Sequence, residues 1–157
     1  MVVLPPMRVA SYQAIGAGPE SEARNRLHDW AQRKGIAGAQ SCRYFGFDNP
    51  SPSVHTSWYG YEAWMTVPGD IEGCDGVEVK MFGGGVYAVT RTVLPSIRET
   101  WQSLIEWNIL SGNSLGKHQC LEEHLSHWAT PFESFILDLY LPVVVNSTGM
   151  RDRYVEE

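Results

Sequence analysis

The sequence predicts an α+β fold built from two consecutive strand–helix–strand–strand units. Three observations support this prediction: two apolar stripes at helical spacing, a repeat of the same residue pattern at a nearly constant offset, and strands whose apolar residues alternate. The chain has 157 residues, 43% of them hydrophobic, which suffices for one core but not for two domains of about 100 residues each. We expect a single domain over 1–145 and a polar tail over 146–157.

The two predicted helices span 20–34 and 96–110. Each follows a proline, Pro19 or Pro95, and proline suits the first turn of a helix because its missing N–H has no partner there in any case. In each segment the apolar side chains fall on one stripe. We therefore expect both helices to cover the same face of a mainly antiparallel sheet.

The repeat is visible as aligned segments. Three pairs of segments carry it: Leu27–Trp30 with Leu104–Trp107, 44–49 with 121–126, and 61–68 with 135–142. The offset is 77 residues for the first two pairs and 74 for the last. The units then run from about 7 to 68 and from about 77 to 143, and their similarity predicts a pseudo-twofold axis. Three glycines at 83–85 predict a bulge or a bend at the start of the second unit.

The strand registers predict a ligand cleft on the face without helices. Side chains alternate across a strand, so the apolar register at 61–67 and 135–141 marks the face toward the helices. In 120–125 we assign that register to Leu121 and Leu125. The side chains that then share the opposite face are Phe45, Phe47, Glu62, Trp64, Glu122, His124, Asp138 and Tyr140. Acids among aromatic rings are typical of a cleft for a flat, hydrophobic and often cationic molecule, and the bland alternative is a solvated sheet face.

Three further residues carry secondary interpretations. Trp101 lies on the second helical stripe, where it can close the cleft from above. His118 and His127 accompany His124, but their spacing scatters the three imidazoles, so we predict no metal site and no cofactor.

Composition and charge exclude several classes of function. The formal net charge of −6 disfavours direct nucleic-acid binding, because such a surface repels a phosphate backbone. No apolar run has the roughly 18 residues of a membrane span, and no secretory signal precedes the first strand. The three cysteines form no CxxC pair and predict reduced thiols. We expect a cytoplasmic protein.

Five motifs together resemble the GyrI-like effector-binding domain, over about 7–143. They are Tyr44–Pro50 (YFGFDNP), Tyr59–Trp64 (YGYEAW), Gly84–Val89 (GGVYAV), Lys117–Leu125 (KHQCLEEHL) and Asp138–Pro142 (DLYLP). The resemblance implies a SOUL-related fold of two such units, with a ligand cleft at the pseudo-twofold axis. In regulators of the AraC and MerR types this domain senses lipophilic cations. Only 1–6 precede the first strand, so the resemblance is to a stand-alone member, with any regulatory protein partner left open.

The resemblance also implies roles for individual residues. Glu122 takes the place of the buried acid of the family's sensors, and Asp138 with Tyr140 matches a second acid followed by a tyrosine. The sequence departs from the family by having Asp138 where many relatives have Glu, which leaves open whether this shorter acid reaches a ligand. It also has His124 where others have tyrosine or an aliphatic residue.

Three functions remain open at this point. The first is sequestration or sensing of a lipophilic, often cationic, planar molecule. The second is hydrolysis of a cyclopropane-bearing or similar electrophile, in which Glu122 would act together with Tyr140 or with His124. The third is a gyrase-protecting protein contact, for which no residue stands out. The natural ligand and the oligomeric state are also left open.

Overall fold

The computed structural model describes residues 1–127 and 129–146, which contain two α-helices and nine β-strands. The helices are α1 (Glu20–Arg33) and α2 (Ile97–Leu110). The strands are β1 (Val2–Leu4), β2 (Met7–Gly16), β3 (Tyr44–Asp48), β4 (Tyr59–Thr66), β5 (Glu78–Phe82), β6 (Gly85–Val93), β7 (Ser114–Leu115), β8 (Leu121–His124) and β9 (Ile136–Val144). In the described part of the chain, no helix combines the length and the apolar character that crossing a bilayer demands.

Eight of the strands form one antiparallel sheet whose order is symmetric about its centre. The order is β1-β6-β9-β8-β3-β4-β2-β5, with β7 paired to β9 beside this path. The first unit contributes β2, β4 and β3, the second contributes β6, β9 and β8, and the two meet where β3 pairs with β8. The α+β class with two helices and an antiparallel sheet is therefore confirmed.

The sheet curls into a half-barrel around one buried cluster. Every strand of the eight-strand path supplies at least one side chain to this cluster, which consists of Leu4, Met7, Val9, Phe45, Phe47, Trp64, Phe82, Tyr87, Leu121 and Tyr140. Leu4 and Phe82 come from the two opposite edge strands, β1 and β5, and a flat sheet would hold them far apart. We call the face turned toward this cluster the inner face.

Each helix packs on the other side of the sheet, which we call the helix face. α1 buries Leu27 and Trp30 in a cluster with Met65 of β4, and α2 buries Leu104 in a cluster with Leu139 of β9. A large side chain that becomes fully buried contributes about 1.5–3 kcal/mol. Both helices lie within one residue of their predicted bounds. The apolar stripe of α1 is buried, whereas in α2 Leu104 is buried and Ile105 is exposed.

The glycine-rich break separates the edge strand β5 from β6, which lies next to the opposite edge of the sheet. Gly84 has a φ of +75°, and a Cβ atom there would overlap the Leu4 carbonyl oxygen. Only glycine adopts this conformation at no steric cost. The bend predicted at 83–85 thus allows the chain to leave β5 and enter β6.

The predicted faces were right for two strands and wrong for a third. Tyr61, Ala63 and Met65 of β4 and the leucines of β9 lie on the helix face as expected. In β8, however, Leu121 belongs to the inner cluster, so Glu122 and His124 lie on the helix face.

The error in β8 has two physical causes. The first cause is the offset between the two units. Phe45 of β3 and Leu121 of β8 both point to the inner face, and they are 76 residues apart in the sequence. The repeat had predicted an offset of 77, which matched Phe45 with Glu122 instead. A slip of one residue moves every side chain of a strand to the opposite face. In addition, a curled sheet buries both faces of its central strands, so an apolar register does not identify the helix side.

Candidate functional site

In the described residues, packed aromatic rings occupy the inner face, where the sequence predicted an open cleft. Its aromatic rings pack edge to face on one another: Phe47 lies 5.0 Å from Trp64 between ring centroids, and Phe45 lies 6.2 Å from Tyr140. All four side chains are at most 6% exposed. These rings fill the half-barrel and form its core.

The Glu62 carboxylate on this face is fully occupied by neighbouring donors. Ser11 donates to Oε1 at 2.6 Å and the Trp64 indole at 2.7 Å, Asn49 donates to Oε2 at 3.0 Å, and Lys80 forms a salt bridge. Burial by itself raises the pKa of Glu62, but the hydrogen bonds from Lys80 and the other three donors outweigh it and lower the pKa to about 2. Glu62 is therefore an anchor between strands.

The other inner-face acids are paired as well. Glu123 accepts two hydrogen bonds from Arg43, at 2.7 and 2.8 Å, and a third from the Tyr140 hydroxyl. Asp138 accepts two from Arg91, at 2.8 and 3.1 Å. The Tyr140 hydroxyl is thus engaged with Glu123. Because Tyr140 and Glu122 lie on opposite faces of the sheet, the predicted catalytic pairing of these two residues does not form.

Glu122 lies on the helix face, where both units contribute to its surroundings. The Tyr61 hydroxyl from β4 is 3.3 Å from Oε2, and the Trp101 indole nitrogen from α2 is 3.4 Å from Oε1. Gly46 pairs with Glu122 across the β3–β8 ladder, and a Cβ atom on Gly46 would overlap the Tyr61 hydroxyl. The glycine therefore makes room for the tyrosine to reach the acid.

No basic side chain forms a salt bridge with Glu122 in the residues described. Burial raises the pKa of Glu122 to about 7, and the negative charges of Asp48 and Glu20 act in the same direction. The hydrogen bonds from Trp101 and Tyr61 lower the pKa and offset part of this effect. Near neutral pH the carboxyl group is therefore present in both its protonated and its ionised form.

His124 connects this acid to a cavity. Its Nε2 atom is 3.1 Å from the Tyr61 hydroxyl, and its ring packs edge to face on Phe135 with the centroids 5.7 Å apart. Burial lowers the pKa of His124 to about 3, and the positive charge of Arg24 contributes. The imidazole is consequently neutral at pH 7.

The cavity next to His124 lies under α1, where the two units meet, and has a volume of about 160 Å³. We call it the helix-face cavity. Its lining residues are Arg24, Leu27, His28, Gly38, Tyr44, Phe45, Ala63, Trp64, His124, Ser126, His127 and Phe135. Phe45 and Trp64 border it from the strands while their rings belong to the inner cluster. Glu122, Tyr61 and Trp101 lie beyond His124 on the same face of the sheet.

A second hollow lies along α2 and is less suited to recognising a charged ligand. Its volume is about 340 Å³, and the side chains around it include Ala88, Thr90, Leu104 and Trp107. None of its lining residues has an acidic or basic side chain. A site with a few convergent polar groups is the stronger candidate for specific binding.

The predicted site residues therefore divide between the two faces of the sheet. Glu122, His124 and Trp101 come together beside the helix-face cavity, and the inner face holds Phe45, Phe47, Glu62, Trp64, Asp138 and Tyr140. Sequence reasoning missed Tyr61, which it had assigned to the core register of its strand, and Arg24, to which it had given no role. The phenol of Tyr61 was the available signal, since a buried tyrosine hydroxyl usually has a hydrogen-bond partner.

Residues 1–144 match the GyrI-like small molecule binding domain. The chain belongs to the GyrI-like family. A GyrI-like domain is thus established over nearly the whole chain, while no curated protein sequence matches it.

Solved structures share the GyrI-like fold at low sequence identity. The C-terminal domain of EcmrR is 12% identical, with a TM-score of 0.68 over 91% of this chain and 94% of that one. In the EcmrR–DNA complex the TM-score is 0.71 at 12% identity, with 90% of this chain covered but only 55% of the longer EcmrR chain. A hydrolase from Listeria innocua is 14% identical, with a TM-score of 0.60 over 91% and 90% of the two chains.

SAV2435 bound to tetraphenylphosphonium is also similar, at 10% identity and a TM-score of 0.51, with 91% of this chain and 92% of that one covered. At such identities these likenesses show a shared fold. The ligand, the DNA complex and the hydrolase activity belong to those proteins.

The assignment of Glu62 as a structural anchor predicts a pH-dependent cost of Glu62→Gln. The folded pKa of Glu62 lies below its ordinary value of 4.5, so the ionised acid stabilises the fold above that value and this contribution is lost as the pH falls toward 2. We expect the substitution to lower the free energy of unfolding by about 2–3 kcal/mol at pH 7 and by clearly less at pH 3. Urea unfolding at the two pH values measures the difference. A cost that is equal at both pH values would contradict the assignment.

Proposed function

We propose that this GyrI-like domain binds a small, flat, hydrophobic cation in the helix-face cavity and recognises its charge through Glu122. The observation that carries this proposal is the charge balance of the buried acids. Glu62, Glu123 and Asp138 each have a lysine or arginine partner, and Glu122 has none among the described residues.

An unpaired acid of this kind favours a cationic ligand for a simple electrostatic reason. Removing a carboxylate from water costs free energy, and a nearby opposite charge restores part of it. The aromatic rings of Tyr44 and Phe135 line the adjacent cavity, and rings attract cations by about 0.5–2 kcal/mol each, depending on desolvation. The complex of SAV2435 with tetraphenylphosphonium is consistent with the proposal, although at 10% identity it carries no residue role over to this chain.

The same geometry favours hydrolysis of a strained electrophile as a second candidate function. Part of the Glu122 population is protonated near neutral pH, and the Tyr61 hydroxyl lies between its carboxyl group and the His124 imidazole. In such a reaction the oxygen of water bonds to a cyclopropane carbon, and the electron pair of the broken C–C bond passes to a conjugated carbonyl group. Glu122 would protonate that acceptor, and the carboxylate so formed would take up the proton that the attacking water loses. The catalytic pair would then be Glu122 with Tyr61 in place of Tyr140.

The binding proposal predicts a loss of affinity in Glu122→Gln. For 1-methylquinolinium we expect about tenfold weaker binding, or about 1.4 kcal/mol, because the ionic attraction is removed while the shape is kept. The affinity of the uncharged isostere 1-methylnaphthalene should change little. Quenching of tryptophan fluorescence measures both. Glu123→Gln is the matched control, since the neighbouring acid points to the inner face. Equal losses in the two variants would refute a specific role for Glu122.

Cation binding should also be coupled to the release of a proton. The folded pKa of Glu122 is about 7 and the cation binds its ionised form, so affinity should rise about tenfold between pH 6 and pH 8. Calorimetric titration in two buffers of different ionisation enthalpy counts the protons released. A pH-independent affinity in the wild type would contradict the coupling.

Glu122→Gln should stabilise the unliganded protein at high pH. The folded pKa of Glu122 lies above its ordinary value of 4.5, so the acid becomes progressively less favourable to the fold as the pH rises through 7. We expect the variant to be more stable than the wild type by about 1–3 kcal/mol at pH 8.5 and equal to it at pH 4.5. Thermal unfolding at both values tests this, and a variant less stable at pH 8.5 would contradict it.

The hydrolase candidate predicts turnover that depends on Glu122. Incubation with a cyclopropane-bearing conjugated ketone should yield a product heavier by one water, and Glu122→Gln should remove the activity while the protein stays folded. Mass spectrometry follows the reaction. Recovery of unchanged ketone from the wild type after long incubation would remove this candidate and leave the binding proposal intact.

A further inference from the structure

Arg24 is the charged side chain that lines the helix-face cavity. It belongs to α1 in the first unit, and its guanidinium carbon lies 6.0 Å from the centroid of the Phe135 ring in the second unit. The side chain therefore reaches across the junction of the two units. The positive charge of Arg24 also acts on His124 and Tyr61. It lowers the pKa of His124 and opposes the increase that burial causes in the pKa of Tyr61.

The guanidinium of Arg24 has no carboxylate partner in the salt bridges of the described residues. The basic residues of the inner face differ in this respect, since Lys80 and Arg43 are bound to Glu62 and Glu123. A guanidinium that packs over an aromatic ring keeps its edge N–H groups available, and these form a planar fork that suits a carboxylate. Arg24 is therefore a cation at the wall of the cavity, and its guanidinium N–H groups form no salt bridge with a carboxylate of the described residues.

The two unpaired charges lie at opposite ends of one chain of contacts. Glu122 is joined to Tyr61, Tyr61 to His124, His124 to Phe135, and Phe135 to Arg24. His124 between them is neutral at pH 7. The site is thus acidic at one end, aromatic in the middle and basic at the other end, and a ligand with a single positive charge uses only half of it.

We propose that the preferred ligand is an aromatic zwitterion, whose cationic centre faces Glu122 and whose carboxylate binds Arg24. The proposal rests on the function proposed above and names the ligand class of that site. Arg24 acts as a specificity-determining residue: it attracts a cation that also has an acidic group and repels a cation that lacks one. Since such a ligand has one charge of each sign, it would offset the charges of both Glu122 and Arg24 on binding.

The test compares two ligands that differ in one charge. The probes are 1-methylquinolinium-6-carboxylate and the nearly isosteric 6-carboxamide, measured by fluorescence quenching at pH 8. We expect the wild type to bind the carboxylate at least about fivefold more tightly than the carboxamide, and Arg24→Gln to remove this preference. Arg24→Lys, which keeps the charge without the fork, should restore part of it.

A matched control is available on the same helix. Arg26 is exposed on α1, so Arg26→Gln removes one positive charge without touching the cavity and should retain the full preference. Near-ultraviolet circular dichroism checks that the variants are folded. The proposal is overturned if the wild type does not prefer the carboxylate, or if Arg24→Gln still does. Failure of the parent cation to bind in a Glu122-dependent manner would instead refute the proposed function itself.

Discussion

The curvature of the sheet is the constraint on which the other features of this protein depend. An antiparallel sheet can leave one face in water, but here all eight strands of the path turn at least one apolar side chain into a single cluster. Among the described residues, that cluster fills the half-barrel with buried side chains. The helix-face cavity lies on the other side of the sheet and is lined by residues of both units. The location of the candidate site thus follows from the packing of residues that do not belong to it.

The same curvature decides which acids are structural. A carboxylate on a buried face is tolerated when a base and several donors satisfy it, and Glu62 and Glu123 meet that condition through Lys80 and Arg43. Glu122 comes from the same strand as Glu123 but points to the opposite face. There it accepts two long hydrogen bonds, from Tyr61 and Trp101. The raised pKa of Glu122 shows that its ionised form is destabilised in these surroundings. Buried groups kept in unfavourable states are more frequent at functional sites than elsewhere in a fold.

Periodicity was sufficient to predict the helices, the strand–helix–strand–strand order and the face assignments in β4 and β9. Those elements have one apolar stripe or one apolar register, so their pattern has a single interpretation. β8 has two adjacent acids, Glu122 and Glu123, between Leu121 and His124, and either register is compatible with such a sequence. Its face depends on its pairing with β3 across the boundary between the units, which no local pattern encodes. The family resemblance singled out Glu122, whose pKa is raised by burial, while the register derived from the repeat assigned it to the wrong face.

The contribution of both units to the site makes its geometry dependent on a single backbone register. Gly46 pairs with Glu122 across β3 and β8, and it also pairs with Ala63 across β3 and β4. Tyr61, two residues from Ala63 on the same face, lays its phenol over Gly46 and so reaches the acid of the other unit. A larger residue at position 46 would displace the phenol, and a one-residue slip would turn the acid to the inner face. Because the residues around Glu122 come from both units, neither unit alone contains the complete candidate site. Ligand recognition by Glu122 would therefore require that the two units pair in the correct register.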